Sequence, residues 1–277
     1  MLFDSHTHLN FEEFTDEKRS EIANEIKKSN LKYIIDAGDC YESSLQAVKD
    51  ANKYDFCYAA VGIHPEHTVN CNDEILNMIE KLANNKKVKA IGEIGLDFHY
   101  GKDYKKEQIY WFRKQIRLAN KLAMPIMIHT RDADGLTMDI LKEEEAFSEK
   151  RKKLFPKRKD ANGIFVPDAR VQLHCYSGSA EMAMQYVKLG ATISIGGPVT
   201  FKNGKKTVEV VKKVPAEFLL SETDAPFLTP EPFRGRENKP QYVEYIVRRI
   251  ALIKGIEYEK LEQILFENGK RFFGIED

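Results

Sequence analysis

The chain has 277 residues, 42% hydrophobic and 31% charged, enough apolar side chain for a sizeable core and enough charge for a wet surface. Basic and acidic residues balance at 43 each, so no global field draws the chain to polyanions, and any nucleic-acid binding has to come from a local patch. No run approaches the roughly 18 apolar residues of a membrane span, the start MLFDSHTHLN lacks a signal-peptide pattern, and the four cysteines form neither a C-x-x-C pair nor a disulfide framework. A cytoplasmic protein with reduced thiols and no membrane partner is expected.

Short β-rich runs alternate with helical patterns from end to end. The runs are Leu2 to Asp4, Tyr33 to Ala37, Phe56 to Val61, Val88 to Gly92, Pro125 to His129, Val171 to His174, Ala191 to Ile195 and Phe218 to Ser221. Alternation of this kind favours parallel strands joined by crossover helices, and eight such runs in a chain of this length predict a (β/α)8 TIM-type barrel spanning 1–277 without an internal boundary. The clearest helix is predicted over Tyr104 to Ala123, where Ile109, Phe112, Ile116, Ala119 and Ala123 recur at spacings of three and four. Two more close the chain: one with a Val243, Ile246, Ile250 and Ile253 stripe, and one beginning with Leu261, Ile264 and Leu265 beyond Gly255.

One stretch breaks the rhythm. Residues 142–168 are polar, long for a βα connection, and carry seven basic residues among the ten from Lys150 to Lys159. This reads as an insertion at the barrel's rim, with either of two uses. The run could bind a phosphate backbone, but charge runs are more often solvated surface.

The polar residues with metal-ligating chemistry fall at the ends of the apolar runs. His6 and His8 form an H-x-H pair at the end of the first run, and residues two apart on a strand face the same way. His64 follows AAVGI, Glu93 ends VKAIGE, His129 follows MPIMI, His174 follows RVQL, and Asp224 comes just after FLLSET. In a TIM-type barrel the carboxyl-terminal strand ends share one face, where active sites are built. His6, His8, Glu93, His129, His174 and Asp224 are therefore expected to converge and to hold cations, since burying four imidazoles and two carboxylates unpaired is costly. His67 and His99 fit the strand-end rule less well and read as loop or surface residues, and Cys175 as a core thiol. Arg131, in IHTRDA, is positioned either to hold a phosphate or to bridge carboxylates at the rim.

Taken together, FDSHTHL, VGIHPE, IGEIGLD, PIMIHTRDA, LHCYSGS and SETDAPFLTP followed by PFRGRENKP resemble the TatD family of metal-dependent deoxyribonucleases, within the amidohydrolase-like barrels. The motifs run in family order from residue 3 to 240. The resemblance implies that His6, His8 and Asp224 bind one divalent cation, that His129 and His174 bind a second, that Glu93 bridges, and that His64 lies beside them or on the substrate phosphate. It implies a DNA substrate; Arg131, Arg234 and Arg236, as guanidiniums suited to phosphate, are expected on flanking phosphates. One departure is local: the family's N-E-P reads Asn238-Lys239-Pro240 here.

Such a site predicts phosphodiester hydrolysis by a metal-activated water, with Asp224, Glu93 and His64 as catalytic groups; the exonuclease mode is what the resemblance implies, and the residues themselves leave exo- and endonucleolytic cleavage open. Four imidazoles favour Zn²⁺ or another first-row ion such as Mn²⁺ over Mg²⁺. The same site could serve another ester or amide, such as a D-aminoacyl-tRNA, and a non-catalytic nucleic-acid-binding protein using the basic insertion is a second alternative. Oligomeric state leaves no signature in the sequence.

Overall fold

The computed structural model describes residues 1–160 and 162–276. In chain order the elements are β1 Leu2–Thr7, α1 Asp16–Lys27, β2 Leu31–Ala37, α2 Tyr41–Lys53, β3 Cys57–Val61, α3 Asp73–Ala83, β4 Val88–Asp97, α4 Lys105–Leu122, β5 Ile126–Arg131 and α5 Asp134–Glu143. There follow α6 Glu149–Lys152, β6 Arg158–Lys159, β7 Phe165–Val166, β8 Val171–Leu173, α7 Ala180–Leu189, β9 Thr192–Ile195, α8 Lys205–Lys213, β10 Leu219–Ser221, α9 Val243–Lys254 and α10 Tyr258–Phe273. Eight strands pair in parallel in the order β1-β2-β3-β4-β5-β8-β9-β10, the expected TIM-type barrel. Each matches one of the apolar runs.

Closure between β10 and β1 comes from just beyond the strands. Asp224 N–H donates to His6 O at 2.9 Å and His8 N–H to Ala225 O at 2.7 Å, while the Ser221 hydroxyl donates to Phe3 O at 3.0 Å. The seam thus fastens Asp224 beside the H-x-H pair through backbone bonds. β4 runs five residues past its expected end at Gly92 because two glycines let it lie close against β5. A Cβ on Gly92 would sit 2.5 Å from Met127 Cβ, and one on Gly95, at φ +150°, only 1.9 Å from His129 O. That contact brings Glu93 and His129 side by side.

The interior is layered. Phe272 and Phe273 plug the amino-terminal end, with Phe273 stacked on Phe3 at 5.7 Å, and Ile35, Ala60, Ala90, Met127 and Leu220 fill the level above. The larger apolar core lies between the strands and the helices, where α4 buries Phe112, Ile116 and Ala119 and α9 buries Val243, Ile246 and Ile250 from their predicted stripes. Among the described residues no helix is long and apolar enough to cross a membrane.

The polar insertion is an αβ rather than a βα connection. It leaves α5, forms α6 and the β6-β7 hairpin, and returns to β8, so it sits at the amino-terminal rim, away from the strand ends that carry the histidines. Two residues of its basic run are buried rather than solvated. Arg151 donates to the carbonyls of Ala169 and Met124 at 2.9 and 2.7 Å, and Arg158 to those of Pro167, Gly190 and Glu217 at 3.0 to 3.3 Å. These guanidiniums satisfy carbonyls just ahead of strands β5, β8, β9 and β10, which a lysine's point charge would do less well.

Candidate metal centre

β1 places the H-x-H pair at the mouth with both Nε2 atoms turned to one point. His6 Nε2 lies 3.1 Å from His8 Nε2, 3.4 Å from Glu93 Oε2 and 3.4 Å from Asp224 Oδ1, and His8 Nε2 lies 3.3 Å from Asp224 Oδ1. Ligands around a tetrahedral ion with bonds of about 2.0 to 2.1 Å are roughly 3.3 to 3.4 Å apart. These spacings match that shell, apart from the wider 4.0 Å between His8 Nε2 and Glu93 Oε2. The other Glu93 oxygen, Oε1, is 2.9 Å from His129 Nδ1, 3.1 Å from His174 Nε2 and 3.8 Å from His64 Nε2. One carboxylate therefore stands between two sets of imidazoles, and the donors suit a pair of divalent cations.

All six expected ligands come together, and His64 joins them at the edge. Donor atoms of His6, His8 and Glu93, of His6, His174 and Glu222, and of His64, Glu93 and His129 each lie within 4.8 Å of one another. Asp224 takes a left-handed backbone at φ 57°, a region uncommon for non-glycine residues in which aspartate is among those enriched. The Ala225–Pro226 turn and the bond to His6 O hold it there.

Two carboxylates had no role in the sequence reading, although both stood inside its quoted motifs. Asp97 Oδ2 lies 3.0 Å from His129 Nε2, and Glu222 Oε1 lies 3.1 Å from His174 Nδ1, without the alignment of a good hydrogen bond. Glu222 is fully buried and also accepts from Cys175 N–H and the Ser194 hydroxyl, both at 2.5 Å. Even spacing was the available signal: Asp97 is four residues past Glu93, and Glu222 two before Asp224. His8 Nδ1 is held in turn by Ala37 O at 2.8 Å.

Burial opposes charge on every imidazole here, and the carboxylates decide which ones keep it. Asp224 and Glu93 outweigh burial at His8 and raise it to about 9, and Asp97 and Glu93 do the same for His129, also to about 9. His174 is raised well above the usual range, against its burial, by Glu222 and Glu93. Burial and His174 hold His6 well below the usual range, and burial and His129 bring His64 down to about 3. Burial would raise Glu93, but His174 and His6 hold it well below the ordinary carboxylate range. Without a cation, charge sits on His8, His129 and His174, while His6, although it too faces Glu93 and Asp224, is kept neutral by burial and the charged rings around it.

A pocket of about 480 Å³ opens over the cluster, bounded by Asp39, Glu42 and Glu66 on one side and Phe227 on another. The arginines stand further out. Arg131, half-buried at the end of β5, lies 4.6 Å from the Tyr100 ring centre, and exposed Arg234 lies 4.0 Å from that of Phe201. Arg236 is exposed in the same loop, and among the described residues no ion pair joins the three arginines to the cluster. Lys239, the departure in the R-G segment, pairs with Glu25 at 2.7 Å, while Asn238 donates to Thr223 O and Phe227 O and braces the Asp224 loop. His67 and His99 are exposed, paired with Asp39 and Asp132 at 3.6 and 3.2 Å. Burial pushes the Cys175 thiol well up, consistent with an inert sulfur.

The relatives of this chain share its whole length. A Bacillus subtilis protein, the uncharacterized metal-dependent hydrolase YabD, is 42% identical over 99% of this chain and 100% of its own. The uncharacterized metal-dependent hydrolase YcfH of Escherichia coli K12 is 31% identical over 99% of this chain and 96% of its own. Among solved structures, the TatD homologue YJJV of Escherichia coli K12 superposes with a TM-score of 0.85 at 25% identity, covering 99% of this chain and 98% of that one. An amidohydrolase of Saccharomyces cerevisiae shares the fold, with a TM-score of 0.74 at 19% identity over 99% of this chain and 100% of that one. The model of the TatD related DNases matches residues 3–274, and with the end-to-end relatives it establishes that this chain belongs to that family.

Proposed function

We propose that this chain is a divalent-metal-dependent phosphodiesterase that hydrolyses DNA from strand ends. The observation that carries the reading is Glu93 standing between two imidazole sets, its Oε2 3.4 Å from His6 Nε2 and its Oε1 3.1 Å from His174 Nε2. In this reading His6, His8 and Asp224 hold one cation, His129 and His174 hold the second, and Glu93 serves both. Four imidazoles favour Zn²⁺ over Mg²⁺, while the carboxylates also accommodate Mn²⁺. Such cations would supply positive charge against the phosphoryl oxygens and a water acidic enough to attack near neutral pH.

The chain's own groups do the rest. Asp224, its Oδ1 3.4 and 3.3 Å from the two Nε2 atoms of the H-x-H pair, orients the attacking water and takes its proton. His64 Nδ1 accepts the Glu66 N–H at 3.3 Å, which leaves the ring proton on Nε2 facing the cluster. Burial keeps that ring neutral, so His64 offers a hydrogen bond to a phosphoryl oxygen without changing charge near pH 7. Arg131, Arg234 and Arg236 hold flanking phosphates from the rim. The description of the family as DNases supports DNA as the substrate. A pocket of about 480 Å³, closed by carboxylates on one side, suits a terminal nucleotide better than a continuing strand.

The test is hydrolysis of labelled single-stranded DNA beside an acyl-ester control. Excess EDTA should abolish DNA cleavage and divalent metal restore it. Asp224→Asn should lower kcat by about 10²- to 10⁴-fold, the usual range for a lost proton acceptor, while DNA binding persists. Full cleavage in excess EDTA, or ester hydrolysis without DNA cleavage, would refute the reading.

A further inference from the structure

Charge is distributed unequally around the mouth. Beside β1, β2 and β3 the pocket over the cluster is walled by four acids, Glu12, Asp39, Glu42 and Glu66, against Arg19 and His67, the partner of Asp39. Between α8 and α9 a separate groove of about 910 Å³ is lined by Lys202, Lys205, Lys212, Arg248 and Arg249 against two acids, Glu209 and Glu231. Lys212 is matched by Glu209 at 2.8 Å and Arg248 by Glu244 at 2.6 Å, whereas Lys202 and Lys205 have no ion-pair partner among the described residues. The unmatched charge lies at the upper end of the groove, nearest the mouth.

The segment after β9 leads from the site to the groove. Gly196 directly follows β9, and a Cβ on it would sit 3.6 Å from Glu222 Oε1, the atom facing His174. Phe201 is five residues further along, so at most about 18 Å away at the reach of an extended chain. From there α8 and α9 carry the walls down the side of the barrel, with Tyr245 36% and Leu252 72% exposed between the basic residues. α8 also opens with Lys205 and Lys206, no acidic residue in its first turn and no side-chain cap. Positive charge there opposes the helix dipole, so the lysines do not serve the helix itself.

We propose that this groove binds the sugar-phosphate backbone of single-stranded nucleic acid beyond the bond that is cut, an inference that rests on the phosphodiesterase reading above. Carboxylates around the pocket turn a phosphate backbone away, so the terminal nucleotide occupies the pocket and the remaining strand leaves over Phe201 and Lys202. The lysines neutralise phosphates and release counterions, and Tyr245 offers the bases a stacking face.

The experiment compares the metal-loaded protein with its Lys202→Ala/Lys205→Ala variant on a long oligothymidylate and on a thymidine dinucleotide, which has no backbone phosphate beyond the bond that is cut. The variant should show a KM for the oligomer raised about tenfold at low salt with kcat kept. Its logarithmic salt dependence should be shallower by about 1.4, from two lost contacts at about 0.7 each for single strands. Dinucleotide cleavage should match that of the unaltered protein. An unchanged oligomer KM and salt slope overturns the proposal, as does an equal loss on both substrates, or an altered oligomeric state in sedimentation with the oligomer KM unchanged. Failure of the unaltered protein to cleave either substrate removes the phosphodiesterase reading and this proposal with it, a result distinct from failure of the variant alone.

Discussion

Around Glu93 two imidazoles, His129 and His174, answer to a carboxylate behind them as well as to the shared one in front. His129 is gripped by Asp97 at 3.0 Å and His174 faces Glu222 at 3.1 Å, so both rings are oriented from outside the cluster. Partners of this kind set ring orientation and basicity and typically account for 10- to 100-fold in metal affinity. Glu222→Gln and Asp97→Asn should each weaken Zn²⁺ binding by that factor, read by competition with a chromophoric chelator, with the fold unchanged by circular dichroism. Affinity equal to that of the unaltered protein would assign both carboxylates to folding alone. Neither role was legible in the sequence, because an acid inside a motif looks the same whether it faces a cation or the ring of a ligand.

The insertion between α5 and β8 shows how an element's position changes the meaning of its composition. Seven basic residues in ten read as a phosphate-binding patch or as solvated surface, and the fold uses two of them in neither way. Arg158, 2% exposed, and Arg170, 7% exposed, are buried beside Arg271 around one acid, Asp168, with which Arg271 forms a tight ion pair. Removing one partner of a buried pair leaves uncompensated charge, at a cost of about 3 to 5 kcal/mol. Asp168→Ala should lose about that much in urea unfolding, whereas Lys150→Ala and Lys153→Ala, at exposed positions, should stay within about 0.5 kcal/mol.

On β2, Asp36 contributes a pH dependence of its own. Its Oδ1 accepts from Asn10 N and Nδ2 at 3.0 and 2.6 Å, its Oδ2 has no hydrogen-bond partner among the described residues, and burial together with Asp50 raises its pKa to about 7. An unfolded aspartate titrates near 3.9. A raised folded value means the stabilising term is full below about pH 4 and is lost as pH rises toward 7, by roughly 1.4 kcal/mol per unit. Asp36→Asn should flatten the dependence of unfolding free energy on pH over this window, and an unaltered slope would place the proton elsewhere.

Across the whole molecule, one closed barrel gathers side chains from β1, β4, β5 and from just beyond β8 and β10. An unfolded chain has no such site, so a cation that binds the folded form stabilises it by mass action, about 2.7 kcal/mol at a hundred times Kd. Zn²⁺ or Mn²⁺ should raise Tm, excess EDTA should reverse the rise, and Glu93→Ala should remove most of it. A Tm indifferent to metal in the unaltered protein would contradict the cluster's fitness for cations.

The eight strands and the six clustered residues were legible in the sequence because the relevant physics is local. Apolar runs of strand length alternate with helical stripes, and five of the eight runs lead into one or two of these residues, so periodicity and chemical type sufficed. The family was legible because its motifs recur in order from residue 3 to 240. Contact between distant segments decided the rest: the bonds that close β10 on β1 and fasten Asp224 beside His6, the glycines that press β4 on β5, the rim at which the insertion lies, and the uneven charge around the mouth. None of these is written in neighbouring residues, because each depends on which surfaces the closed barrel brings together and which it leaves in water.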